Sequence, residues 1–217
     1  MGASASWHWL RPVAEARGFR HRFCGAAESA SCDCTNCGVP LLHYASFDAR
    51  DPRLGLRELG LALVPCVFCW RCALAQEPLH YRLSAAGAIE LVAFGRGEPV
   101  TDFPYPEYPR EFPGSALELV EPTPRELSAL ERIRAGGLWH DLEPDVRHLI
   151  VPRHRAGIEL PGEAPPPCTL CSRPTRAFAT FGDANLDPRG FTGNETVETH
   201  FSICADCATV AVVQTCD

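Results

Sequence analysis

The sequence predicts an α+β, β-rich chain in which two related four-cysteine units are joined by a proline-rich and helical middle segment. Three observations carry this. Cysteine pairs of the form C-x-x-C recur in the same order in both halves of the 217 residues. The segments between them are rich in β-branched and aromatic residues bounded by turn signals, and one stretch in the middle carries a full set of helix start and stop signals. With 46% hydrophobic and 22% charged residues, the chain can bury a core. Its longest apolar run, Leu59 to Val64, ends at Pro65 and falls far short of the ~18 residues a membrane helix needs.

In chain order, the first thirty residues carry Trp7, Trp9 and a short amphipathic stretch. Strands are expected at Leu41 to Phe47, Leu59 to Phe68, Leu79 to Leu83 and, after a turn at Gly87, Ala88 to Phe94. Pro99, Pro104, Pro106, Pro109 and Pro113, interleaved with Phe103, Tyr105, Tyr108 and Phe112, exclude both a helix and a central strand, so an extended connector is expected there. The helix follows. Thr123 is placed as its N-cap, Pro124 at its first position, Glu126 in the capping box and Gly136 and Gly137 at its end, with Leu127, Leu130, Ile133 and the stem of Arg134 on one face. A weaker helix is expected from Pro144 to Ile150, then a second proline-rich stretch to Pro167. Strands near Thr175 to Phe181, Thr196 to Ile203 and Ala208 to Thr215 complete the chain. The resulting division is a β-rich unit at 1–97, a connector with helices at 98–167 and a C-terminal unit at 168–217.

The internal repeat gives the pattern its meaning. Cys34-Thr-Asn-Cys37-Gly-Val-Pro40 matches Cys168-Thr-Leu-Cys171-Ser-Arg-Pro174, and Tyr44-Ala-Ser-Phe47 matches Phe178-Ala-Thr-Phe181. Asp51-Pro-Arg-Leu-Gly55 then stands against Asp187-Pro-Arg-Gly190. Each copy closes on a second pair, Phe68-Cys69-Trp-Arg-Cys72-Ala73 against Ile203-Cys204-Ala-Asp-Cys207-Ala208, and the gaps between pairs are 31 and 32 residues. Two short loops that each turn a pair of thiolates toward one centre form a tetrahedral site suited to Zn²⁺, which has no geometric preference of its own. The sequence therefore predicts two zinc-ribbon-like sites, Cys34, Cys37, Cys69 and Cys72 in one and Cys168, Cys171, Cys204 and Cys207 in the other, with iron-sulfur ligation as the competitor. In the first site, Cys32-Asp-Cys34 with Cys66-Val-Phe-Cys69 offers a second register, and both registers stand at this point. Cys24 and Cys216 have no repeat partner.

Several chemistries are excluded by composition or by missing motifs. All 20 basic residues are arginine, so neither a Schiff-base lysine nor a lysine-dependent phosphate loop exists in this chain. The Pro65-Cys66 and Pro167-Cys168 segments look like half of a nucleobase deaminase signature, but no histidine or cysteine is followed two residues later by the required glutamate. No H-E-x-x-H, G-x-S-x-G or glycine-rich phosphate loop is present. A formal charge of -7, made more negative still by thiolate-bound zinc, disfavours nucleic acid. Arg11, Glu15, Arg17 and Arg20 interrupt any apolar leader, so the expected setting is the reducing cytoplasm, where twelve cysteines call for metal and not for disulfides.

His154-Arg-Ala-Gly157, then Cys168-x-x-Cys171, an aromatic strand, an Asp/Gly-rich loop, Cys204-x-x-Cys207 and Val212-Val-Gln-Thr-Cys216-Asp217 together resemble the end of bacterial YwqG-like proteins of unknown function. The duplicated cysteine architecture is more loosely similar to the programmed cell death protein 2 family. That resemblance implies a β-rich, metal-binding protein without an established activity, and the eukaryotic relatives imply binding to client proteins. The expected function is a non-catalytic protein-interaction or adaptor protein with structural zinc. The alternative is a redox-responsive thiol protein or chaperone that uses zinc-bound cysteines. A protein partner is expected at the loop between the second copy's cysteine pairs, through Asp187, Arg189 and Phe191.

Overall fold

A computed structural model describes residues 8–26, 32–72, 77–94, 113–135, 155–156, 165–182 and 197–216. Among these, eleven strands and one helix are present. The strands are β1 (His8–Val13), β2 (Arg22–Phe23), β3 (Leu42–Asp48), β4 (Leu63–Phe68), β5 (Leu79–Leu83), β6 (Ile89–Phe94), β7 (Ser115–Val120), β8 (Arg155–Ala156), β9 (Arg176–Gly182), β10 (Val197–Cys204) and β11 (Thr209–Cys216). They pair antiparallel in the continuous order β4-β3-β2-β7-β1-β8-β9-β10-β11-β5-β6. The helix α1 spans Pro124–Arg134.

This order doubles back on itself, so that the β3-β4 hairpin packs against the β9-β10 hairpin. Tyr44 of β3 stacks on Phe181 of β9 with centroids 5.0 Å apart and meets Phe201 of β10 edge-on at 6.0 Å. Phe47 meets Phe178 edge-on at 5.9 Å. Tyr44 and Phe178 occupy equivalent positions in the two repeats, as do Phe47 and Phe181. Each copy's first aromatic therefore touches the other copy's second, the reciprocal pattern that a two-fold axis produces between identical subunits. The repeat is thus one of packing as well as of sequence.

The far end of the order reaches the near end through one side chain. The buried Tyr81 of β5 donates its hydroxyl to the Pro65 carbonyl (2.7 Å) and accepts from the Val67 N–H (3.3 Å). Residues two apart point their backbone groups to the same side of a strand, so this hydroxyl covers the side of β4 that faces away from β3. The same geometry tolerates Pro65. Its missing N–H falls on the unpaired side, the position to which proline in a sheet is confined.

The strands at 41–47, 79–83, 88–94, 175–181, 196–203 and 208–215 form within a residue or so of expectation. Three features differ. β4 begins at Leu63 and not Leu59, because Arg57–Leu59 make a 3₁₀ turn closed by Gly60 at φ 66°. The N-terminal amphipathic stretch contains strand β1, which pairs with β7 from Trp9↔Val120 to Val13↔Ala116. β7 itself follows the proline-rich segment and was not foreseen. Strand pairing also crosses both suggested unit boundaries: β7 joins β1 and β2, β8 joins β1 and β9, and β11 joins β5.

The helix starts with the expected capping box. Thr123 donates its N–H to the Glu126 carboxylate (2.7 Å), and the Glu126 N–H donates to Thr123 Oγ1 (3.3 Å). Leu127, expected on the apolar face, is exposed, whereas Ala129 and Glu126 are buried. Of the expected face, Leu127 alone has a described side chain, and it lies at the surface. The side chains of Leu130, Ile133 and Arg134 lie outside the described residues, as do the weaker helix at 144–150, the connector at 95–112 and Gly136 and Gly137.

Buried polar groups around β3 are paired. His43 donates from Nδ1 to the Cys24 carbonyl (3.2 Å) and accepts at Nε2 from Ser46 (2.6 Å). His21 accepts the Asp48 N–H at Nδ1 (3.1 Å), which places its proton on Nε2, 2.9 Å from Asp51. Burial holds His8, His21, His43 and His80 below the usual histidine range; for His21 it outweighs the pull of Asp51. A histidine depressed in the folded state binds fewer protons than in the unfolded chain, so stability is full above the unfolded value near 6.5 and is lost as pH falls through it. Each histidine contributes a slope of up to ~1.4 kcal/mol per pH unit in that window. Urea melts at pH 7.5, 6.5 and 5.5, with metal content checked at each pH, are expected to show a steady fall. A flat profile would mean that these histidines take up protons as readily in the native state as in the unfolded chain.

Two candidate metal centres

Each hairpin carries one cysteine pair before its first strand and one after its second. Antiparallel pairing of β3 with β4, from Leu42↔Phe68 to Asp48↔Leu63, returns the chain to the end where Cys34 and Cys37 sit. β9 and β10 do the same for the second copy, and Cys204 is the last residue of β10. The sulfurs of Cys34, Cys37, Cys69 and Cys72 lie within 4.8 Å of one another, and so do those of Cys168, Cys171, Cys204 and Cys207.

The local backbone explains why each pair converges. In the first knuckle the Cys34 N–H donates to the Val39 carbonyl (2.8 Å), and the Gly38 N–H donates to the Cys34 carbonyl (2.8 Å). The second copy repeats both bonds, Cys168 N–H to Arg173 (2.9 Å) and Ser172 N–H to Cys168 (2.7 Å). Closing this turn puts the residue after the second cysteine in the left-handed region, with φ of 71° at Gly38, 59° at Ser172 and 50° at Ala208. Glycine adopts that conformation freely; serine and alanine do so at a cost that the surrounding turn must hold. Gly38, directly after Cys37, is the one residue of the three whose type signals this turn in the sequence.

The sulfur positions fit a tetrahedral ion. Zn–S bonds of about 2.3 Å imply S···S separations of about 3.8 Å. Cys34 and Cys72 are 3.8 Å apart, Cys37 and Cys69 3.5 Å, and Cys171 and Cys204 3.7 Å. All eight cysteines are free thiols. Cys66 lies inside β4 in the apolar core and belongs to neither group; Cys32 is half-buried and also outside them. Burial pushes the thiols of Cys24 and Cys66 well up.

Without metal, each cage contains one thiol held low, Cys34 in the first and Cys171 in the second. A hydrogen bond with Cys69 lowers Cys34 to about 5, while the same contact pushes Cys69 far up. Burial raises Cys72 to about 12. In the second cage a hydrogen bond from Arg173 lowers Cys171 to about 6, and Cys171 in turn helps raise Cys207 to about 12. A divalent ion stabilises all four thiolates of a cage together, so metal uptake releases protons.

Two neighbours of the cages were not picked out from the sequence. Asn36 donates its amide to Cys72 Sγ (3.2 Å), and Arg173 joins Cys171 while pairing with Asp206 of the opposite knuckle (2.9 Å). Both sit inside or just after a C-x-x-C, where spacing shows the ligands but not what faces them. Asp187, Arg189 and Phe191 fall outside the described residues. Comparison of the chain with family models, curated proteins and solved structures finds no match.

Proposed function

We propose that this chain is a zinc-binding, non-catalytic scaffold with two structural Zn²⁺ ions, one per cage, and that it serves in protein interaction. The observation that carries the reading is the duplicated four-thiol cage at the end of paired hairpins. Four sulfurs fill a tetrahedral shell and leave no position for water or substrate, so a zinc held there stabilises the fold and takes no part in turnover. Protein purified without added metal is expected to hold two zinc per chain by elemental analysis and to be colourless. Visible thiolate-to-iron absorbance would replace zinc by iron, and zero metal in fresh reduced protein would overturn the reading.

A redox-responsive role is the second reading, favoured by the half-exposed cage residues Cys171 and Cys207. Cys24 and Cys66 do not serve it, because a thiol kept protonated by burial is a poor nucleophile.

A further inference from the structure

We infer that the two cages have different roles: the N-terminal cage is built into the core through three of its four ligands, and the C-terminal cage is an exchangeable metal site that opens on the side of Cys171 and Cys207. The inference rests on reading both cages as zinc sites and adds which one trades its metal, and with what. The acceptor it fits is a small chelating or thiolate-bearing molecule that attacks the ion from solvent.

Four differences between equivalent positions support this. Cys34, Cys69 and Cys72 belong to the main apolar core, with Cys37 packed against it, whereas none of the second cage's ligands does. In the second cage both second cysteines of the pairs, Cys171 and Cys207, are half-exposed; in the first only Cys37 is. Trp70 packs against the first cage's core from inside its second knuckle, at the position where the second copy has Ala205. Asn36 donates to a ligand sulfur in the first cage, whereas the equivalent Leu170 is 49% exposed and has no donor to give.

These differences act on the exchange step itself. Metal transfer from a filled four-thiolate shell requires an incoming ligand to reach the ion as one Zn–S bond breaks and the freed thiolate is solvated or protonated. In the first cage three of the four ligands lie in the core, and a thiolate freed at Cys34, Cys69 or Cys72 would be left in an apolar surround, which disfavours its charge. In the second cage two of the four ligand residues are half-exposed, and a freed thiolate there is close to solvent. Its two knuckles are tied by the Arg173–Asp206 pair, with side chains 58% and 55% exposed, and such a solvated pair restrains opening only weakly. Arg173 also offers positive charge to the Cys171 thiolate and so slows its departure without preventing it.

The test uses the full chain carrying two zinc. Excess 4-(2-pyridylazo)resorcinol is added together with N-ethylmaleimide, zinc release is followed by absorbance, and the labelled cysteines are mapped by mass spectrometry over time. One equivalent is expected to leave at least tenfold faster than the other, with Cys171 and Cys207 labelled during the fast phase and Cys34, Cys69 and Cys72 only during the slow one. Arg173→Ala is expected to speed the fast phase severalfold and to leave the slow phase unchanged. Release of both equivalents in one phase, early labelling of the N-terminal cage, or acceleration of the slow phase by Arg173→Ala would each overturn the inference. A starting protein without zinc would instead overturn the zinc reading on which it rests.

Discussion

Replacing Cys69 by serine is expected to remove one zinc per chain and to unfold at least the β3-β4 half, whereas Cys66→Ser is expected to keep both ions. The two residues are three apart on one hairpin arm and are both fully buried. Only Cys69 lies in a cage, 3.5 Å from Cys37 and joined to Cys34. A structural zinc couples an apparent ~10 kcal/mol or more to folding, as much as the whole net stability of an ordinary domain, so loss of one ligand is not absorbed locally. Cys66→Ser leaves the cage intact and places a hydroxyl in the apolar core at a cost of about 1–3 kcal/mol. Zinc analysis with far-UV circular dichroism of both variants decides between the two cysteine registers that the sequence allows. Because Cys69 is a ligand in both registers, Cys66 is the discriminating position: if Cys66→Ser lost an ion, the first cage would be built from Cys32, Cys34, Cys66 and Cys69.

The cages were legible in the sequence because each ligand pair is a local feature, with two residues between its cysteines, and the nearly equal gaps of 31 and 32 residues relate the two sets. The strands β5, β6 and β9 to β11 were legible for a similar reason: alternating or β-branched runs between turn residues already favour an extended chain. β1, β2, β7 and β8 were not. Arg22–Phe23 and Arg155–Ala156 are two-residue links whose pairing comes from neighbours far along the chain, and β7 becomes a strand by joining β1 more than a hundred residues earlier. Tertiary pairing of that kind leaves no local periodicity. The helix shows the intermediate case. Its start is written in Thr123-Pro124-Arg125-Glu126, but which face it buries depends on the neighbours, and Leu127, expected on the apolar face, is exposed. The unequal surroundings of the cages became legible only once the repeat aligned Asn36 with Leu170 and Trp70 with Ala205.

Tyr44→Ala is expected to be the most destabilising change outside the cages, because this ring is where the two repeats meet. It lies between Phe68 of its own copy (4.1 Å, 19° between planes) and Phe181 of the other (5.0 Å, 2°), and its hydroxyl is 3.3 Å from Thr199 Oγ1. Truncating a buried aromatic to alanine costs about 3–5 kcal/mol through lost transfer energy and the cavity left behind. Tyr44→Phe removes only the hydrogen bond, about 0.5–1.5 kcal/mol, so the pair of variants separates stacking from the hydroxyl. Direct stacking also requires Tyr44→Ala and Phe181→Ala to be non-additive in urea melts, with a coupling of about 0.5–1.5 kcal/mol. The cages are held by their own hairpins, so native Tyr44→Ala is expected to keep two zinc while its unfolding midpoint drops. Strict additivity of the two substitutions would mean that the hairpins do not stack ring on ring, and loss of zinc in folded Tyr44→Ala would mean that the cages depend on contact between the repeats.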